Sequence, residues 1–187
     1  MQRKTIVRFL LIAFAIYAVL TLGLPIFGQL YAQGFRAALL ATIVSDSGAR
    51  QIEVPAEQPS ARVTHIVIVN RQLLAADGSG PIRNVNLPTS AFWHASALLL
   101  SLALASPCTW LLRLRAALVG FLCVQAFIAC ALSFVLWNEG RHVGLSAISP
   151  AWSATTDQMG YILMEQAILF VPILAWLVGL WQVSKRQ

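Results

Sequence analysis

Four stretches of about twenty mostly apolar residues dominate this chain. At about 1.5 Å of helical rise per residue, each reaches the roughly 30 Å needed to cross a hydrocarbon layer. The expected spans run from Phe9 to Gly28, Phe92 to Leu112, Ala116 to Trp137 and Tyr161 to Trp181. Composition points the same way. Apolar residues make up 58% and charged residues 11% of the sequence, against about 45–50% and about 25% in soluble domains. Such a chain has too little polar surface to cover a core in water. The expected fold class is an all-α membrane protein with four transmembrane helices. A small extracytoplasmic β-hairpin or three-stranded segment is expected between the first and second of them. Pro25, Pro107 and Pro172 fall inside expected spans, where each removes one helix hydrogen bond and favours a bend.

Three regions follow. Residues 1–44 are expected to form the first span and a partly amphipathic extension, with Leu30, Phe35, Leu39 and Ile43 near one face and Gln33 and Arg36 away from it. Residues 45–90 change character and are punctuated by Pro55, Pro59, Pro81 and Pro88. The β-branched run Val63–Asn70 reads as the best strand, with Gln51–Val54 and Ile82–Asn86 as weaker ones. Asp77-Gly78-Ser79-Gly80 is a turn signal. A segment of about 46 residues without a cysteine is too small to be stable alone, so it is expected to rest on the helices or on a partner. Residues 91–187 carry the other three spans, with an outer loop at 138–160.

Charge sets the expected orientation. With both termini inside, Arg3, Lys4, Arg8, Arg113, Arg115, Lys185 and Arg186 are cytoplasmic, without an acidic residue among those pieces. Asp46, Glu53, Glu57, Asp77, Glu139 and Asp157 then lie outside. The positive-inside rule favours that arrangement, and Trp137 and Tyr161 fall at the outer interface with Trp110 and Trp181 at the inner one. The first apolar stretch lacks a clean small-x-small cleavage site before Tyr31 and reads as a retained anchor rather than a signal peptide. The net charge of +6 is accounted for by these flanking residues, which meet anionic lipid. No basic stripe with interleaved aromatic residues marks a nucleic-acid partner.

Candidate chemistry is sparse. Cys108, Cys123 and Cys130 all fall in expected spans, which argues for small apolar packing groups rather than a disulfide. His65, His94 and His142 lack metal-ligand spacing, and no metal or cofactor is expected. Glu165 and His94 sit at a similar depth near the outer ends of their spans, close to Arg141, so a cluster under the outer leaflet is geometrically open to them. The plainer reading is that Glu165 reaches water or pairs with Arg141. Cys130, His94 and Arg141 offer a thiol, a base and an oxyanion donor of sortase-like kind, although apolar surroundings make a thiol inert. Gln125, in mid-span, and Gln166 suit hydrogen bonds between helices, and Ala97, Ser101 and Ala105 form a small-residue stripe for close packing.

The layout resembles the exosortase-associated small membrane proteins, in particular the type encoded beside exosortase H in bacteria. The residues that carry the resemblance are the basic turn Arg113-Leu-Arg115, Gln125-Ala-Phe127, and Tyr161-Ile-Leu-Met-Glu-Gln followed by Val171-Pro172-Ile-Leu-Ala-Trp176. It implies a multi-pass accessory protein of the bacterial inner membrane with a larger membrane-protein partner, an exosortase. The chain is too short to be that enzyme, and the resemblance transfers no functional residue. The leading expectation is a non-enzymatic accessory or scaffold subunit. The alternatives are a membrane enzyme with an outer-leaflet site and a small transporter or channel subunit.

Overall fold

The computed structural model describes residues 3–42, 51–55, 62–75, 79–145 and 149–184. It is mostly helical, with one small sheet. Helix α1 (Arg3–Leu22) passes through a π-helical turn, Leu24–Gly28, into α2 (Gln29–Thr42). Pro25 has no N–H to give, and the ladder re-spaces around it: Ile26 and Phe27 both donate to the Gly23 carbonyl, at 3.0 and 2.9 Å. The face of α2 turned inward is set by Tyr31, Phe35 and Leu39. Leu30, expected on that face, is exposed.

Three antiparallel strands follow: β1 (Gln51–Glu53), β2 (Thr64–Val69) and β3 (Ile82–Leu87), in the order β1-β2-β3. The expected three-stranded segment is therefore present, with the run beginning near Val63 at its centre. Thr64 faces Leu87 and Ile66 faces Val85 in the register. All four are buried on one face, together with Ile68. The opposite face carries exposed Asn84 and Asn86, with His65 Nδ1 paired to Asn86 Oδ1 at 2.7 Å. Asp77 and Gly78 of the expected turn, and Lys185 and Arg186, lie outside the described residues. So do the side chains of Gln166 and Trp181.

The sheet has no core of its own. Ile66, Ile68, Val85 and Leu87 join Leu39, Phe92 and Val143 in a cluster that continues through Leu99, Val124 and Leu132. Buried polar contacts fix the join. Thr64 Oγ1 pairs with Thr89 Oγ1 at 2.7 Å, Asn70 Nδ2 donates to the Val143 carbonyl at 2.9 Å, and Arg36 donates to the Pro55 carbonyl at 2.8 Å.

Beyond β3, Pro88 leads straight into α3 (Thr89–Ala105), followed by α4 (Trp110–Gly140), α5 (Pro150–Tyr161), a π-helical stretch Ile162–Ala167, and α6 (Ile168–Ser184). These bounds correct the sequence reading in several places. The second apolar stretch ends as a helix at Ala105 rather than Leu112, and Pro107 and Cys108 lie in the turn that follows. Ser106 closes the helix by donating to the Leu102 carbonyl at 2.7 Å. Arg113 donates to the Leu104 and Cys108 carbonyls, both at 3.0 Å, satisfying groups that a helix end leaves orphaned. Arg113 and Arg115 therefore belong to α4, not to a linking turn. The expected outer loop at 138–160 is largely helical: it holds the end of α4, a 3-10 turn at Arg141–Val143 closed by left-handed Gly144 (φ 74°), and α5. The fourth apolar stretch is not one straight helix, because α5 and α6 meet at a bend of 59°.

Two helices are long and apolar enough to cross a membrane, over Thr5–Leu22 and Trp110–Val143. The bent α5–α6 pair makes a third if it is one broken span, and α3, with 17 residues, is apolar but shorter. Only 6% of the first window is buried. Leu10, Leu11, Phe14, Leu118, Leu122 and Phe170 present a continuous kind of apolar exposure that water does not tolerate and lipid does.

Ring contacts give the chain directions. Phe9 stacks on Trp176 at 5.7 Å, Tyr17 meets His94 at 6.4 Å, Tyr31 meets Trp93 at 5.7 Å and Phe35 meets Phe92 at 5.3 Å. Helices α1, α2 and α4 thus rise towards the sheet while α3 and α6 run away from it. The start of α1 and the end of α6 share the opposite end. Helix α3 packs against α1, α4 and α6, and is buried around most of its circumference. Its Ala97, Ser101 and Ala105 are all buried, and Gly120 of α4 leaves room for fully buried Leu99.

A Cβ on Gly120 would sit 2.7 Å from Leu99 Cδ1. Gly120→Ala is therefore expected to cost about 1–3 kcal/mol through overpacking. Gly34→Ala, where a Cβ meets open space, is expected to stabilise by about 0.4–1 kcal/mol. Unfolding in detergent micelles, read by circular dichroism, measures both.

Candidate functional site

At the sheet end, β3 lies across from the last turns of α4 and from the α5–α6 junction, and a cavity of about 570 Å³ separates them. One wall is formed by consecutive residues 83–88. The other is formed by Val135, Asn138, Glu139, His142, Asp157, Gly160, Tyr161, Met164 and Glu165.

Its charges are arranged in pairs. Arg83 Nε donates to Glu139 Oε2 at 2.7 Å, tying β3 to the end of α4. Arg141 Nη2 reaches both oxygens of Asp157, and Asn138 Nδ2 donates to the same carboxylate at 2.8 Å, tying α4 to α5. The Arg141 side chain is 12% exposed but that of Asp157 is 52% exposed, so water screens the pair from the carboxylate side as it does an ordinary surface pair. Glu165 has no cationic partner among the described residues. Asn138 is buried, and its Oδ1 accepts no hydrogen bond.

The candidate residues read from the sequence separate into different places. Glu165 lines this cavity, and Arg141 lies behind it, held by Asp157. His94 does not line it: its Nδ1 pairs with the Tyr17 hydroxyl at 3.4 Å, on the α1 side of α3. Cys130 is exposed on α4 and is likewise absent from the lining. Arg141 pairs with Asp157 rather than Glu165, and Cys130 and His94 lie away from the cavity that Glu165 lines. Among the described residues, no group of His, Cys, Asp and Glu side chains is arranged to hold a metal ion.

Deeper in the bundle, Gln125 joins three helices. Its Nε2 donates to Ser96 Oγ of α3 at 3.0 Å, and its Oε1 accepts from the Tyr31 hydroxyl of α2 at 3.2 Å. Ser96 Oγ in turn donates to the Phe92 carbonyl at 3.0 Å. At the opposite end, Trp176 Nε1 donates to Ser106 Oγ at 2.8 Å, linking α6 to the turn after α3.

Arg83, Asn84, Asn86 and Asn138 were not singled out by sequence. Their signal is faint: two asparagines at alternate positions of a weak strand, and one at the close of a long apolar helix. No family model, curated protein or solved structure matches this chain.

Gln125→Leu removes the bonds to both the Tyr31 hydroxyl and Ser96 Oγ. It is expected to lower stability by about 0.6–2 kcal/mol, the range for hydrogen bonds between membrane helices. In a double-mutant cycle, the part of that loss due to Tyr31 should disappear when Tyr31 is already Phe, and the part due to Ser96 should remain.

Proposed function

We propose that this protein is an accessory or scaffold subunit of the bacterial inner membrane, with four spans, both termini in the cytoplasm and the sheet outside. Its partner is a larger membrane protein, and the resemblance in layout makes an exosortase the leading candidate. In this reading α3 is the second span despite its length, because it is sheltered by three neighbouring helices. The α5–α6 pair supplies the fourth.

One observation carries the binding role. The sheet shares its core with the helices, so β3 and the cavity beside it form one fixed polar surface at a single end of the molecule. A surface assembled from ion pairs, amides and a strand edge is suited to recognition. The separate locations of Cys130, His94 and Arg141 favour this over a thiol-based membrane enzyme.

Two measurements test the proposal. In a chain with Cys108, Cys123 and Cys130 replaced by Ser, a membrane-impermeant maleimide should label Leu73→Cys in intact spheroplasts. Thr5→Cys should be labelled only after permeabilisation. Both sites are exposed, and the reverse pattern overturns the orientation. Affinity purification of the tagged chain in mild detergent should recover a multi-pass membrane protein in stoichiometric amount, and recovery of a lone monomer overturns the accessory role.

A further inference from the structure

We infer that the cavity beside β3 binds an extended peptide as an added strand and takes a Lys or Arg side chain of that peptide at Glu165. The inference rests on the binding reading above and specifies its ligand. The first support is the strand edge. Among the described residues, β3 pairs with β2 on one side only. Among them, no other backbone hydrogen bond involves residues 82–87, and only the Thr89 hydroxyl, 3.4 Å from the Leu87 carbonyl, approaches this backbone otherwise. Successive side chains of a strand point to opposite faces, so a wall made of six consecutive residues exposes the backbone edge itself. An added strand lies about 4.8 Å from its neighbour, and the open space beside β3 is where it would lie. Main-chain bonds along such an edge give affinity without dictating sequence.

The second support is the far wall, which supplies the selectivity. Of its three carboxylates, Glu139 is matched by Arg83 and Asp157 by Arg141, which leaves Glu165 without a cation among the described residues. A carboxylate with no cation beside it, next to the Tyr161 hydroxyl, calls for N–H donors carrying positive charge. A basic side chain on an incoming strand meets that need. An acidic one would face Glu165 directly.

The full chain in phosphatidylcholine nanodiscs provides the test. The probe is a C-terminally amidated heptapeptide of alternating Val and Thr with one variable central residue, labelled with fluorescein at its N-terminus and read by anisotropy. Lys and Arg at the centre should bind at least about tenfold more tightly than norleucine or Glu. N-methylation along one edge of the Lys peptide should weaken it by about tenfold or more. Glu165→Gln should abolish the preference for Lys over norleucine while retaining the weaker backbone-driven binding. Absence of binding, equal binding of Lys and norleucine peptides, or an unchanged preference in E165Q each overturns the inference. Loss of Lys binding when half of the lipid is phosphatidylethanolamine also overturns it, and assigns the site to a lipid ammonium group. Failure here with co-purification intact removes this ligand and leaves the accessory role standing.

Discussion

Leu99 of α3 fills the notch that Gly120 leaves in α4, and the rest of the molecule is arranged around that contact. In lipid there is little hydrophobic drive to bring helices together, so association depends on close backbone approach and on a few polar bonds. Helix α3 supplies both. Ala95, Ala97, Ala103 and Ala105 keep its surface slim, and Ser96 reaches Gln125. The helix has 17 residues, and α1, α4 and α6 surround it.

The same helix positions the sheet. Only Pro88 separates β3 from α3, and the Thr64–Thr89 bond pins β2 to the first turn of that helix. Three short strands in water would be marginal. Seated on Phe92, Leu39 and Val143, they gain the core they lack. In the proposed role, a strand edge held this way would lose little further freedom on docking, and that pre-organisation would preserve affinity which a mobile hairpin loses to ordering.

Much of this was legible in the sequence. The β-branched run and its two weaker neighbours became the three strands, and the expectation that they would rest on the helices matches the shared core. What escaped has identifiable physical reasons. Hydropathy does not register a helix stop inside an apolar stretch, so the break at Ser106 and Pro107 was missed. It is made by Ser106 and Arg113 bonding back to the Leu102 and Leu104 carbonyls of α3, while Arg113 also holds the Cys108 carbonyl of the turn. Helix α5 carries Ser, Thr, Asp and Gln with little apolar periodicity, and read as loop. Depth along a span was predictable from rise per residue, but rotation about the helix axis was not. That is why Glu165 and His94, placed at one level by sequence, serve different sides of the bundle. The cavity was least visible of all, since its walls, residues 83–88 and Val135 onward, come from well-separated segments whose meeting depends on the sheet's seat.

Charge placement connects the fold to its working end. An ion is costly within the hydrocarbon and much cheaper near its edge. Arg83, Glu139, Arg141 and Asp157 all gather at the sheet end, and each finds an opposite partner there. Those pairs bind β3, α4 and α5 into one frame, so neutralisation and architecture are the same act. Glu165, the third carboxylate of that cavity, lies beside the Tyr161 hydroxyl with no cation among the described residues, across from the β3 edge that those residues leave unpaired. The proposed basic strand answers both features at once, with main-chain hydrogen bonds at the edge and positive charge at the carboxylate.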